Sequence, residues 1–187
     1  MQAEVLQGGF ANAPIDAAVA FRAAMQVMAR PGCIETVSGG TPPAPMSVAA
    51  GVLVLTLCDP ETPVHLAGAL DCQPVRDWIT FHTGAPFVDA DTAMFAIGCW
   101  EDLTPVTRFA IGTPEYPDRS ATLIVECDAL GEGHRLSGPG IKDTASLALP
   151  EVEVFQNNAL LFPLGLDFFF CAGDQVAALP RTTKVEG

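Results

Sequence analysis

The chain has 187 residues, the length of one domain, and its 49% hydrophobic content is ample for a packed core. Its 22 acidic residues against 9 basic ones give a net charge of −13, and no Lys/Arg cluster interrupts that balance, which excludes direct binding to nucleic-acid phosphates or anionic membranes. Only 17% of residues are charged, where about 25% is usual, a deficit that fits either a well-filled core or a surface covered by other protein.

Residues 1–187 read as a single domain, with 1–9 as a flexible lead and 184–187 as a tail. The start lacks the basic and apolar regions of a signal peptide. Val48–Cys58 is too short to span a membrane, and Ala159–Ala172 is broken by Pro163 and Asp167. A cytoplasmic location is therefore expected.

Pro14 and Asp16 suit the first turn of a helix, along which Ala18, Phe21, Met25 and Met28 recur as one apolar stripe and Arg22, Gln26 and Arg30 as a polar one. Pro31-Gly32 ends it, and Cys33–Ser38 alternates as a strand. Ser47 is an N-cap for a buried helix through Ala49, Val52, Leu55 and Leu57, although its β-branched residues also permit a strand. Pro63–Leu66 reads as a short strand, Pro74–His82 as a helix capped by Gly84, and Ala93–Trp100 as a core strand. A stiff loop at 112–122 feeds the strand Thr122–Cys127, since Thr113 and Tyr116 each precede a proline and are pushed to extended geometry. Gly138-Pro-Gly140 is a rigid turn, Glu151–Leu161 a helix, and Phe168–Cys171 with Gln175–Leu179 a hairpin around Gly173-Asp174. Alternating strands and helices make the fold α/β, a mixed sheet flanked by helices.

Most familiar chemistry is missing from this pattern. His65, His82 and His134 lie far apart without metal-ligand spacing, so no metal is expected; His82 suits the last turn of its helix, where a positive charge or a donor suits the free carbonyls. Cys33, Cys58, Cys72, Cys99, Cys127 and Cys171 show no Cys-x-x-Cys and read as reduced core thiols. There is no glycine-rich phosphate loop and no Gly-x-Ser-x-Gly elbow, and no catalytic residue is assigned. Lys142 and Lys184, the only lysines, sit in loop-like and tail positions, which argues against pyridoxal phosphate, and no cofactor is expected.

What remains is a small set of basic residues in stiff loops, chiefly Arg119 and Arg181. Each is either a local partner for a carboxylate or an anion contact, and Gly138 and Gly140 either shape a turn or offer backbone N–H groups to an anion. Gly112, Thr113, Pro114, Glu115, Tyr116, Pro117 and Asp118 form a structural loop in which Arg119 can pair with Glu115 or Asp118.

Several of these segments together resemble one family. Met28-Ala-Arg-Pro-Gly32, Asp59-Pro-Glu-Thr-Pro63, Val75-Arg-Asp-Trp78, Phe81-His-Thr-Gly-Ala85, Leu136-Ser-Gly-Pro-Gly-Ile141, Phe162-Pro-Leu-Gly165 and Ala178-Leu-Pro-Arg-Thr-Thr183 occur in order between Gly9 and Val185. With the long Gly112-Thr-Pro-Glu-Tyr-Pro-Asp-Arg-Ser-Ala-Thr122 segment, they resemble the PhnH family of the bacterial carbon–phosphorus lyase system. The resemblance implies a three-layer fold similar to a cofactor-free pyridoxal-phosphate-dependent transferase. It also implies a homodimer when isolated, and a core complex with PhnG, PhnI and PhnJ. In that system adenine of ATP is displaced by an alkylphosphonate, giving a ribose 1-alkylphosphonate 5-triphosphate, and a separate iron–sulfur subunit later cleaves the carbon–phosphorus bond. Three readings stay open: an assembly subunit of that machinery, a small hydrolase or transferase using the 112–122 loop with Arg119, and a small-anion binding module.

Overall fold

The structure, a computed structural model, describes residues 6–186. The first helix, α1 (Ala13–Ala29), is followed by a two-residue strand β1 (Glu35–Thr36), helix α2 (Val48–Leu57) and strand β2 (Val64–Leu66). Next come α3 (Gln73–Thr83), β3 (Phe95–Cys99), the single turn α4 (Trp100–Leu103) and β4 (Thr122–Glu126). The second half contains β5 (His134–Ser137), β6 (Ala145–Leu147), α5 (Val152–Leu160), β7 (Asp167–Ala172), β8 (Gln175–Leu179) and β9 (Lys184–Val185).

The main sheet has six strands in the order β1-β8-β7-β4-β3-β2, and β6-β5-β9 form a separate three-stranded sheet. Strands β2, β3, β4 and β7 run parallel with their starts aligned, Phe95 beside Thr122 beside Asp167, whereas β8 turns back antiparallel. Alternate residues of these strands face opposite layers. Ile97, Ile124, Phe169 and Cys171 pack against α1, α2 and α3. Ala96, Leu123, Val125, Phe168 and Phe170 pack against α4, α5 and the small sheet. Both faces are covered, which is why the central strands are continuous apolar runs. On the second face Phe155 of α5 meets Trp100 at 5.1 Å and Phe168 at 5.0 Å between ring centroids.

The segment that could have been helix or strand is helix α2. The Ser47 hydroxyl accepts the Ala50 N–H at 3.1 Å, and the helix, apolar all round, lies buried under α1 and α3. Helix α1 corrects the expected apolar stripe. Its buried residues are Ala20, Ala24 and Val27, while Phe21 and Met25 remain 47% and 55% exposed. Small side chains let α1 lie close on α2 and β8, and the larger ones point outward.

The expected strand at 33–38 shrinks to Glu35–Thr36, and Trp100 belongs to α4, not to β3. Lys184–Val185, expected in a tail, pair with β5, and the Glu186 N–H bonds the Arg135 carbonyl at 2.9 Å. Of the expected flexible lead, residues 1–5 lie outside the described residues. Gly8 accepts the Thr41 N–H at 2.7 Å and Gln7 the Trp78 indole N–H at 3.0 Å. No helix among the described residues is long and apolar enough to cross a membrane.

Candidate functional site

Three connections converge where the parallel strands begin: 111–121 before β4, 161–166 before β7, and 180–183 after β8. Arg181 joins them. Its backbone N–H and Nε donate to Asp167 Oδ1 at 2.8 and 3.2 Å, and Nη2 donates to Oδ2 at 2.5 Å. Nη1 donates to the Pro117 carbonyl at 3.0 Å and the Pro163 carbonyl at 3.3 Å, and Nη2 also donates to the Ser120 hydroxyl. A guanidinium has five N–H donors in a fixed fork, so Arg181 is fully engaged by its own chain. The side chains of the Arg181–Asp167 pair are only 12% and 24% exposed.

The loop expected to be stiff is held by its own backbone. Thr113 and Tyr116 exchange N–H···O bonds of 3.1 and 3.0 Å, Ala121 bonds the Ala110 carbonyl at 2.7 Å, and Gly165 bonds Ile111 at 3.0 Å. Gly112 has φ +85°, and a Cβ there would come within 2.6 Å of the Pro117 carbonyl, so only glycine closes this loop. Pro117–Arg119 form a 3₁₀ turn. Arg119 does not take the expected carboxylate partner. Its guanidinium lies 4.0 Å from the centroid of the exposed Tyr116 ring, and it forms no ion pair among the described residues.

Gly138 and Gly140 stand apart from this cluster. A Cβ on Gly140 (φ +81°) would sit 1.9 Å from the Ala29 carbonyl, and one on Gly138 would sit 3.1 Å from the Thr182 carbonyl. The turn is wedged between the end of α1 and the segment leading into β9, and close backbone approach accounts for its glycines. Arg76 is likewise engaged locally, hydrogen-bonded to Asp71 with its guanidinium 4.6 Å from the centroid of the Phe87 ring.

The opposite edge of the sheet, where the parallel strands end, is where α/β proteins usually bind ligands. Here it is filled from within. Glu126, the last residue of β4, accepts the Ser47 N–H at 2.8 Å, and the Ala49 N–H bonds the Gly173 carbonyl at 2.9 Å. Together with the Ser47 hydroxyl these groups occupy the N-terminus of α2, the kind of position that holds a phosphate in nucleotide-binding folds. Burial raises the pKa of Glu126 above the ordinary glutamate value, against the opposing pull of the Ser47 hydrogen bonds. Around Cys99 the carboxylates of Asp102, Glu126, Glu101 and Asp128 add to burial in raising the thiol.

The thiols are correspondingly quiet. Burial pushes Cys58 up to about 12 and Cys127 to about 11, and Cys171 well above the usual range. Such groups stay protonated and are poor nucleophiles at neutral pH. All six cysteines are free, but Cys33 and Cys99 are exposed and not core residues as expected. His82 lies in the last turn of α3, as expected. Its ring packs 5.0 Å from both Trp78 and Phe81, and burial lowers its pKa, which disfavours the charged form there. His65 instead bonds the Val88 carbonyl at 3.1 Å.

The sequence pointed to Arg181 but not to its partners Asp167 and Ser120, nor to Glu126. Glu126 carried a signal, an acid closing the apolar run Thr-Leu-Ile-Val. The other two carried none, because the residues that meet Arg181 are scattered along the chain.

The sheet has its own carboxylate at one edge and is cross-braced by an arginine at the other, in an α/β domain with a mixed sheet and helices on both faces. The model of the bacterial phosphonate metabolism protein (PhnH) family matches residues 8–186, and the chain belongs to that family. It is 43% identical to the alpha-D-ribose 1-methylphosphonate 5-triphosphate synthase subunit PhnH of Rhizobium meliloti (strain 1021), over 99% of this chain and 98% of the relative. It is 30% identical to HtxG of Stutzerimonas stutzeri, provisionally designated a C-P lyase subunit, over 95% of this chain and 94% of the relative.

Proposed function

We propose that this chain is a subunit of the assembly that makes ribose 1-methylphosphonate 5-triphosphate from ATP and methylphosphonate, and that its role there is architectural. The observation that carries this is the 43% identity to the Rhizobium meliloti synthase subunit along nearly the whole of both chains. The site geometry supports the architectural role. A triphosphate and a phosphonate require cationic clamps, backbone nests or a metal. The edge where such groups would gather carries Glu126, Glu101, Asp102 and Asp128, and Arg181 spends its donors within the chain. The other subunits, in this reading PhnG, PhnI and PhnJ, supply the anion-binding groups.

The same reading sets the chain in the cytoplasm, where nucleoside triphosphates are made and the free cysteines stay reduced. It also takes the three-layer arrangement as a cofactor-free relative of the pyridoxal-phosphate-dependent transferases. Of the two lysines, Lys142 is exposed in a turn and Lys184 lies on a strand of the small sheet. A homodimer of the isolated chain is supported by α1, whose outer face carries the exposed Ile15, Val19 and Met25 while its inner face is buried. Exposed apolar side chains of this size, set among Arg22 and Gln26, suit a surface that a second copy covers. Light scattering should return twice 19.6 kDa; a mass that stays at the monomer value over a wide concentration range contradicts the dimer.

The function is tested by following adenine release from ATP and methylphosphonate. The purified chain should release none, the partner subunits without it little, and the complete set a steady amount. Turnover by the chain alone, abolished by a point change within it, would move the active site here. Undiminished turnover by partners lacking it would make it dispensable.

A further inference from the structure

Helix α5 ends in three large apolar residues that nothing in the chain covers: Leu160 is 83% exposed, Leu161 43% and Phe162 61%. They form a ridge between two grooves. On one side Leu161 lines a hollow of about 670 Å³ with Ile111 and Val154. On the other, Leu160 and Phe162 line a groove of about 470 Å³ with Ala159, Val185, Arg181 and Lys184.

The ridge is not a loose helix end. Leu161, Phe162 and Leu164 bond the carbonyls of Asn158, Ala159 and Leu161 at 3.1, 3.4 and 2.9 Å. The buried Asn158 amide clamps both the Leu166 carbonyl, at 2.9 Å, and the Leu166 N–H, at 2.8 Å. Arg181 holds the Pro163 carbonyl. An apolar surface fixed before binding loses little conformational freedom when a partner arrives.

Charge identifies the occupant. In a chain of net charge −13, the charged residues lining the α5–β9 groove are Arg181 and Lys184, both cationic. Arg181 is already engaged, so Lys184, exposed and without an ion pair among the described residues, is the charge on offer. A second copy fits poorly: twofold pairing through this groove would set its cations against themselves, and a head-to-tail contact would run on as an open filament. We propose that the α5–β9 groove docks an acidic, amphipathic segment of a different chain, with apolar side chains seated on Leu160 and Phe162 and a carboxylate on Lys184.

This proposal rests on the assembly reading above and says which surface serves it. The test uses the full chain and, as probe, the remaining core subunits expressed together from the same organism without it. The variants are Leu160→Ser with Phe162→Ser, and separately Lys184→Glu. The double variant should melt within a few degrees of the parent, keep its own oligomeric state, and bind the probe at least tenfold more weakly. Lys184→Glu should weaken binding severalfold and flatten its dependence on salt. If the double variant melts low, Leu160→Asp alone decides, because that side chain is almost wholly exposed. Normal melting with undiminished binding by every variant overturns the groove while leaving the assembly reading intact. Loss of self-association without loss of probe binding assigns the groove to a second copy and overturns the proposal too. Failure of the unmodified chain to bind the probe overturns the assembly reading itself.

Discussion

The two edges of the parallel sheet are built on opposite plans. Where the strands end, carboxylates gather, and Glu126 occupies the helix N-terminus that could otherwise hold an anion. Where they begin, three connections are drawn into one knot by Arg181, and the apolar ridge of Leu160 to Phe162 stands beside it. In most open α/β domains the first edge carries ligands and the second only stability. In this chain the first edge gathers carboxylates and the second is cross-braced by Arg181. A basic residue in an unusual loop therefore need not be a substrate contact. Arg181 is a brace, and what it braces is the cluster of loops beside the exposed apolar ridge.

The sharpest test of that contrast is to cut the brace. Arg181→Ala strips the part-buried Asp167 carboxylate of its guanidinium partner, leaving it the backbone N–H of residue 181, and leaves the Pro117 and Pro163 carbonyls without their donor. Removing one member of a buried, hydrogen-bonded pair costs about 3–5 kcal/mol, and the partial exposure of Asp167 puts the expected loss toward the lower end. Urea denaturation should show that loss, with protection of the 112–120 amides from hydrogen exchange falling with it. A variant as stable as the parent would mean the knot is ornamental and Arg181 is free for another role.

The opposite edge is probed by pH. Burial raises the folded-state pKa of Glu126, so the native state holds this proton more tightly than the unfolded chain does. The stability contributed by that group is therefore full below the ordinary glutamate value of 4.5 and is lost as pH rises through the folded-state pKa. Glu126→Gln imitates the protonated form and can still accept the Ser47 N–H. It should be at least as stable as the parent at neutral pH, with the advantage fading as pH falls toward 4.5. A clear loss at neutral pH would instead show that the ionised carboxylate stabilises the start of α2.

Much of the scaffold was legible in the sequence because its signals are local. Ser47 and Asp59-Pro60 bracket α2, Gly84 caps α3 with φ +71°, and Gly173-Asp174 turns the β7–β8 hairpin. The small sheet was not legible, since its strands are two to four residues long and pair across the chain. The burial of α1 was misread because helical spacing drew one apolar stripe through Phe21 and Met25, whereas close packing on α2 and β8 buries Ala20 and Ala24. The brace was half legible. Arg181 could be named, but Asp167 lies 14 positions away, Ser120 lies 61 and Pro117 lies 64, so no spacing rule connects them.

Arg119 should give the smallest effect, and it separates the two kinds of arginine at one edge. It lies on the face of Tyr116 in the open, with no carboxylate partner among the described residues. An exposed cation–π contact is worth about 0.5–1 kcal/mol, so Arg119→Ala should lower stability by no more than that, and Tyr116→Ala by a similar amount. Loop geometry should survive both changes, because the Thr113–Tyr116 backbone bonds and the contact of Gly112 with Pro117 do not use either side chain. Tyr and Arg are enriched at interfaces, and Arg119 has donors to spare. Any larger effect should therefore fall on binding to the other subunits. The measurements are thermal unfolding of the isolated variants, affinity for the remaining core subunits, and adenine release by the completed assembly. Normal melting with weakened binding makes Arg119 an interface residue. Normal melting and normal binding with no phosphonate conversion would give it a substrate role, and the contrast between the two edges would then have to admit an anion at the braced one.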